Sequence, residues 1–380
     1  MLPSQDFSGY KTPFYAYDLE LLRQTLDAIT ACVPANACVH YALKANASPV
    51  ILSEIASKGF GADCVSGGEI KIAMAAGFDP SKIAFAGVGK TDEEILLGLE
   101  AEIGVFNVES REELEVIAGL AAGCGKVAPV ALRVNPNIDA HTHHYITTGL
   151  AENKFGIGMD QLPELARYAA KSPSVDLIGL HFHIGSQILD MKPYAVLCQR
   201  INALQEILKS EGISLQSINV GGGLGIDYEQ PDLHPVPDFT DYFRTITDNI
   251  VLDPGQTLHF ELGRSVVAQC GSLITRVVYV KHGVEKKFVI VDAGMTELIR
   301  PALYGAHHLI QNLSAHTADS LIDTYDVVGP VCESSDVFAT AISLPAVSRG
   351  VILSIRSAGA YGEVMASGYN CRTLNPSVYY

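Results

Sequence analysis

The chain has 380 residues, of which 48% are hydrophobic and 18% charged, so it can bury a large core and is not expected to be disordered. Its net charge of −16 argues against a nucleic-acid or anionic-membrane partner, either of which would require a basic face. No apolar run approaches the roughly 18 residues of a membrane span.

The N-terminal stretch MLPSQDFSGYKTPFYAYD lacks a basic start followed by an apolar segment, so no secretory signal is expected. The eight cysteines include no C-x-x-C pair; they are expected to be reduced thiols in a cytoplasmic protein, and a zinc site built on them is not expected. Along the chain, eight short apolar runs end in polar or glycine-rich residues. They are CVHYALKAN (38–46), GADCVS (61–66), IAFAGVG (83–89), IGVFNVES (103–110), PVALRVNP (129–136), LIGLHFHIGS (177–186), INVGGGLG (218–225) and LHFELGR (258–264). Stretches such as SPVILSEIASKG, GGEIKIAMAAGF and SREELEVIAGLAAGCG lie between them, apolar at helical spacing and closed by glycine. Eight alternating strand–helix units predict a (β/α)8 TIM-like barrel over 20–268. After it the texture changes. GSLITRVVYVKHGVEKKFVIVDAG predicts a β-hairpin turning near Lys281-His282-Gly283, and long helical patterns are few. A mostly β C-terminal domain is expected over 269–380, joined by segment 1–19.

Polar residues gather at the C-terminal ends of the barrel runs: Lys44, Asp63, Arg133, Asn135, His181, His183, Gly221 to Gly223, Glu261 and Arg264. In a barrel these ends form one rim, where chemistry sits. Some motifs mislead. GVGKT (87–91) resembles a phosphate loop, but Ala84 stands where its first glycine belongs. GGGLG (221–225) fails the dinucleotide fingerprint at Ile226; it is expected to be a glycine-rich strand-to-helix turn that either packs tightly or offers N–H groups to a phosphate. HTHHY and HFH invite a metal, yet metal-hydrolase barrels carry H-x-H on the first strand and this one lies on the sixth. No catalytic metal is expected. His181 and His183 are expected to point the same way along a strand, one as a core histidine and one flat against a planar ring.

A rim lysine, a glycine-rich phosphate turn, an aromatic partner and an isolated carboxylate have one economical explanation, pyridoxal 5'-phosphate held as a Schiff base. Lys44 supplies the nitrogen, Gly221, Gly222, Gly223 and the Gly263 turn cradle the phosphate, and His183 stacks on the ring. Glu261 pairs with the pyridine nitrogen and favours its protonated form, which suits loss of CO2.

The motifs YALKAN (41–46), GADCVSGGE (61–69), NVES (107–110), HFHIGSQ (181–187), VGGGLG (220–225), ELGR (261–264), RPALYGA (300–306), VGPVCESSD (328–336) and GAYGEVMASGYN (359–370) resemble the fold-type III, alanine racemase-like pyridoxal phosphate decarboxylases, and among them the diaminopimelate decarboxylase family. The resemblance runs through nearly the whole chain. It implies decarboxylation of meso-2,6-diaminopimelate to L-lysine and CO2, the last step of lysine biosynthesis, by a homodimer with shared active sites. It implies Lys44 as the Schiff-base lysine and His183 as the stacking ring, with Asp63 among the cofactor-binding residues. It also implies phosphate contacts from Ser186, Gly223 and Tyr361, and Glu261 at the pyridine. Arg264, Arg300 and Tyr304 would bind the substrate's distal carboxylate, Arg264 also lying by the cofactor and Tyr361 by the substrate. Cys332, with a catalytic role, and Glu333 would come from the second subunit. Leu262 stands where the family usually has proline, His144 replaces a proline, and the chain stops at Tyr380, sooner than most relatives.

Chemistry separates the nearest rivals. Ornithine-type decarboxylases recognise a distal ammonium, whereas diaminopimelate carries a whole amino-acid group at its far end and requires a cation as well as an anion. Arginine's planar fork suits that carboxylate, and Glu333 suits the ammonium. A polyamine-pathway decarboxylase acting on carboxynorspermidine or ornithine is the alternative. A racemase relative is disfavoured by Glu261, and a non-catalytic cofactor carrier by the long segment after the barrel.

Overall fold

The structure is a computed structural model that describes residues 6–138, 154–314 and 321–380. The histidines of HTHHY, His144 included, lie outside the described residues. The chain divides into two compact units, one of Leu26–Gly225 with Asp238–Gly263, the other of Met1–Thr25, Ile226–Pro237 and Arg264–Tyr380.

Strand β1 (Phe14–Tyr17) belongs to the second of these units. The first unit contains β2 (Ala37–Ala42), β3 (Gly61–Cys64), β4 (Ile83–Phe85), β5 (Val105–Val108), β6 (Ala128–Asn135), the short β7 (Ile157–Gly158), β8 (Val175–His181), β9 (Ser217–Asn219) and β10 (Thr257–Leu262). All pairings among them are parallel. The order β5-β4-β3-β2-β10-β9-β8-β6 closes through a β5–β6 pairing, giving the expected eight-stranded barrel; β7 is a two-residue appendage on β6. Each of the eight apolar runs supplies one barrel strand.

Alternation along β10 shows how a strand serves two environments. Phe260 turns to the helices: its ring centroid lies 4.8 Å from that of Phe243 and 5.7 Å from that of Tyr242, both on helix Phe239–Asn249. Glu261 turns the other way, to side chains of β5, β8 and β9. The helices after β3, β4 and β5 start on Ser66, Thr91 and Ser110, whose hydroxyls accept the N–H of Glu69, Glu94 and Glu113 respectively. The sequence writes this as S/T-x-x-E three times. Three of the expected helices, Pro49–Ser57, Gly67–Ala75 and Arg111–Gly123, are followed by Gly59, Gly77 and Gly125 at positive φ.

The second unit carries β11 (Gly271–His282), β12 (Lys287–Val291), β13 (Ile310–Asn312), β14 (Ile322–Val328), β15 (Val337–Pro345), β16 (Ile352–Ile355) and β17 (Val378–Tyr379). With β1 they form one mixed sheet of eight strands. β11 and β12 make the expected hairpin, with His282 opposite Lys287. β1 pairs antiparallel with the start of β11, and Phe7, Phe14, Ala16, Ile274 and Ile352 form a buried cluster there.

Candidate active site

Each unit presents its own share of the expected site residues. In the barrel, Lys44 follows β2 in a single turn of 3-10 helix, Leu43–Ala45. Its side chain is 40% exposed, and Nζ lies 3.4 Å from Oδ2 of Asp63 on the adjacent β3. The other oxygen of Asp63 is buried without a hydrogen-bond partner. Burial raises the Asp63 pKa, and the nearby charge of Glu261 adds to the rise.

Glu261 is the most heavily coordinated carboxylate of the site. Its Oε2 lies 2.9 Å from Nε2 of His181, and its Oε1 accepts hydrogen bonds from Asn219 (2.8 Å) and Asn107 (3.4 Å). Burial alone would raise its pKa. The charge and hydrogen bond of His181, reinforced by Lys44, overcome that cost and hold the carboxyl far below its ordinary range. Glu261 is therefore held ionised. His181, Asn107 and Asn219 are the residues the sequence did not assign to this role. Asn107, in NVES, and Asn219 do stand at strand ends, which is the signal that could have found them.

The two histidines of HFH do not continue along one strand. β8 ends at His181, and His183 lies beyond it. His181 is buried against Glu261, while the half-buried His183 accepts at Nδ1 the N–H of Gly222 (3.3 Å). Burial and the charges of Lys44 and Arg133 lower the His183 pKa well below the usual value, so the ring is neutral. Ser186 follows in the same segment, half-buried.

GGGLG corrects another expectation. No helix begins there, and the next starts at Phe239. What the glycines provide is close backbone approach. A Cβ on Gly222 would stand 1.7 Å from the carbonyl oxygen of Glu261. Gly221 (φ +71°) and Gly223 (φ +110°) add left-handed backbone, and a Cβ on either would meet a carbonyl oxygen, of Phe182 or of Gly185. A chain of side-chain-free residues next to His183 is a fitting cradle for a phosphate. Gly263 closes β10 and precedes the four-residue helix Arg264–Val267. Lys90, of the phosphate-loop look-alike, is consumed internally: Nζ bonds the carbonyls of Gly87 and Asn107 and a carboxylate oxygen of Glu113. Arg133 is likewise held by Glu109.

In the second unit, Arg264 and Arg300 are both buried and share Tyr228. Nη1 of Arg264 donates to the Tyr228 hydroxyl (2.7 Å), and the Arg300 guanidinium lies 5.4 Å from the Tyr228 ring centroid. Arg264 also lies 5.0 Å from the Tyr361 ring. Tyr304 acts electrostatically on both guanidiniums. Arg300 makes no ion pair among the described residues, and its buried Nε has no hydrogen-bond partner. Burial, aided by the charge of Arg264, lowers its pKa. Two cations buried together favour an anion. Tyr228 was not singled out in the sequence. Cys332 and Glu333 have other neighbours: both are exposed, the Cys332 N–H faces Oδ1 of Asn370, and Glu333 accepts from Tyr369 (2.8 Å).

The donor set suits pyridoxal phosphate: an accessible amine, an ionised buried carboxylate, a neutral imidazole and a glycine cradle. Comparison with known proteins agrees. Residues 19–268 match the family described as "Pyridoxal-dependent decarboxylase, pyridoxal binding domain". The chain is 58% identical over 376 residues to the diaminopimelate decarboxylase of Bacteroides thetaiotaomicron, covering 98% of this chain and 97% of that one. Among solved structures, diaminopimelate decarboxylase from Helicobacter pylori complexed with L-lysine is 43% identical with a TM-score of 0.91, covering 97% of this chain and 92% of that one. An arginine decarboxylase of Paramecium bursaria Chlorella virus, 22% identical at a TM-score of 0.87 over 98% of this chain and 96% of that one, shares the fold. By its barrel, its site residues and these likenesses, the chain belongs to the pyridoxal-dependent decarboxylases, in the diaminopimelate decarboxylase family.

Proposed function

We propose that this protein decarboxylates meso-2,6-diaminopimelate to L-lysine and CO2, as a cytoplasmic homodimer. The observation that carries the reading is the buried pair Arg264 and Arg300 at Tyr228. Diaminopimelate has a carboxylate at each end, and one must be bound while the other departs. Two guanidinium forks, desolvated and backed by tyrosines, suit the carboxylate that stays. A substrate with only a distal ammonium would bring no carboxylate to these cations.

When bound, pyridoxal phosphate supplies an electron sink for the pair left on the α-carbon as CO2 departs. The chain's own residues prepare that step. Lys44 Nζ, the accessible amine at the rim, would hold the cofactor. The Glu261 carboxylate, pinned by His181, Asn219 and Asn107, favours a protonated pyridine nitrogen. The neutral His183 ring offers a flat face. Ser186 and the N–H groups of Gly221 to Gly223 and Gly263, with Tyr361, would hold the phosphate. Asp63 lies by Lys44. Tyr304 assists the arginines. Cys332 and Glu333, exposed on the single chain, are given to the site of a second copy, where Glu333 meets the distal ammonium.

A substrate panel tests this. The kcat/KM for meso-diaminopimelate should exceed those for ornithine and carboxynorspermidine by at least about a hundredfold, since a site built for a polar group discriminates strongly against its absence. Equal or faster turnover of either amine would favour the polyamine-pathway alternative.

A further inference from the structure

On the inward face of the barrel, two residues back along β10 from Glu261, lies His259. The register pairs Glu261 with His40 and His259 with Cys38 on β2. Residues paired across a sheet share a face, so Cys38, His40 and His259 converge inside the barrel toward the N-terminal ends of its strands. Cys38 stands near the start of β2, below Lys44, which follows the strand's end at Ala42. One ligand atom from each, a sulfur and two imidazole nitrogens, lies within 4.8 Å of the others. His40 is buried, whereas Cys38 and His259 are only partly so, which leaves the cluster reachable from solvent.

We propose that Cys38, His40 and His259 bind one divalent cation of the zinc class at the floor of the barrel. One thiolate and two imidazoles suit zinc, with a water as fourth ligand. The outer atoms of the rings are already held. Nδ1 of His40 lies 3.0 Å from the Lys82 carbonyl oxygen, which can only accept, so the proton sits on Nδ1 and the Nε2 lone pair points into the cluster. Nε2 of His259 lies 2.9 Å from the Thr257 hydroxyl. Such outer partners fix tautomer and ring orientation at metal sites. Gly61, opposite His40, makes room: a Cβ there would stand 2.5 Å from Nδ1 of His40.

Between the rings, Nε2 of His40 and Nδ1 of His259 are 2.8 Å apart, joined by the proton of His259. Binding moves that proton from Nδ1 to Nε2 of His259, where the Thr257 oxygen accepts it, and releases the thiol proton of Cys38. The nitrogens then part to the roughly 3.3 Å of a tetrahedral ion. β2 is the first barrel strand along the chain and β10 the last, and the two are paired, so the ion would staple that seam. The ligands stand 219 residues apart (259 − 40), which is why no sequence motif announces them.

The test uses the purified holoenzyme, freed of metal with EDTA and dialysed against equimolar Zn2+. Elemental analysis should find one zinc per chain, and zinc should raise the melting temperature. Cys38→Ser and His259→Gln should each weaken zinc binding by well over tenfold, and Thr257→Val, which keeps all three ligands, by about tenfold. Zinc should also slow alkylation of Cys38, mapped by mass spectrometry, in the unmutated protein, so the proposal stays testable if a ligand variant fails to fold. No zinc retained by the wild type, retention unchanged in folded variants, or Cys38 alkylated equally fast with zinc would overturn it.

Discussion

Nε2 of His181 and Oε2 of Glu261 lie 2.9 Å apart, and both side chains are buried. This contact decides the charge of the site. A carboxyl in that interior would otherwise be pushed toward its neutral form, and the imidazole reverses the shift. The sign follows for stability: with its pKa depressed on folding, the stabilising contribution of Glu261 is present above the ordinary carboxyl range of about 4.3 and is lost only as pH falls toward the folded value.

Glu261→Gln should keep the cofactor bound and cut turnover by about two orders of magnitude or more, the usual scale of a lost electrostatic term. Absorbance of the bound cofactor and single-turnover kinetics measure the two parts separately. Near wild-type turnover with cofactor in place would remove Glu261 from the electron-sink role.

Arg300→Met should raise KM for meso-diaminopimelate by at least about tenfold, the size of a lost charge-assisted contact. Cofactor absorbance should not change. A KM equal to that of the wild type would show that the distal carboxylate does not rest on this side chain.

Much of this architecture is legible in the sequence because it is locally written. Each barrel strand is an apolar run, and glycines such as Gly59 and Gly77 mark helix ends. Lys44 and Glu261 stand out because a charge closing a buried strand is costly. The partners of Glu261 are less visible. His181 and Asn219 are brought to it by β8 and β9, from 80 and 42 residues away, and Asn107 comes from 154 residues away. Closure of the barrel and strand register, not local pattern, make them neighbours. Tyr228 lies in the irregular stretch between β9 and helix Phe239–Asn249, where no periodicity could single it out. The missing helix at GGGLG has the same cause: the chain runs irregularly through residues 226–237 before Asp238 caps the next helix.

Glu69 carries a pH signature. Burial first, and Asp63 after it, push its pKa up to about 7, although it accepts the Val65 N–H. A raised folded pKa means stability present below about 4.3 and lost as pH rises through about 7. Glu69→Gln should therefore gain on the wild type as pH rises from about 4.3 to about 7 and hold the gain above that, by about 1 kcal/mol once its partial exposure is discounted, or roughly 2 °C in Tm. Thermal melts across that range measure it. A constant difference would mean that Glu69 ionises normally.

Mixing Lys44→Ala protein with Glu333→Ala protein, each inactive, should restore activity. Random exchange gives about half heterodimers with one intact site each, so about a quarter of wild-type activity is the ceiling. Subunit exchange demonstrated by mass, with no activity, would place Glu333 in its own chain's site.

The central claim is that Lys44, at the end of the first barrel strand, carries the cofactor. Borohydride reduction of the holoenzyme, followed by proteolysis and mass spectrometry, tests it directly. The cofactor mass should be fixed to the peptide containing Lys44, and Lys44→Ala should give no such adduct and no turnover. Label on any other lysine would contradict the whole assignment of the site.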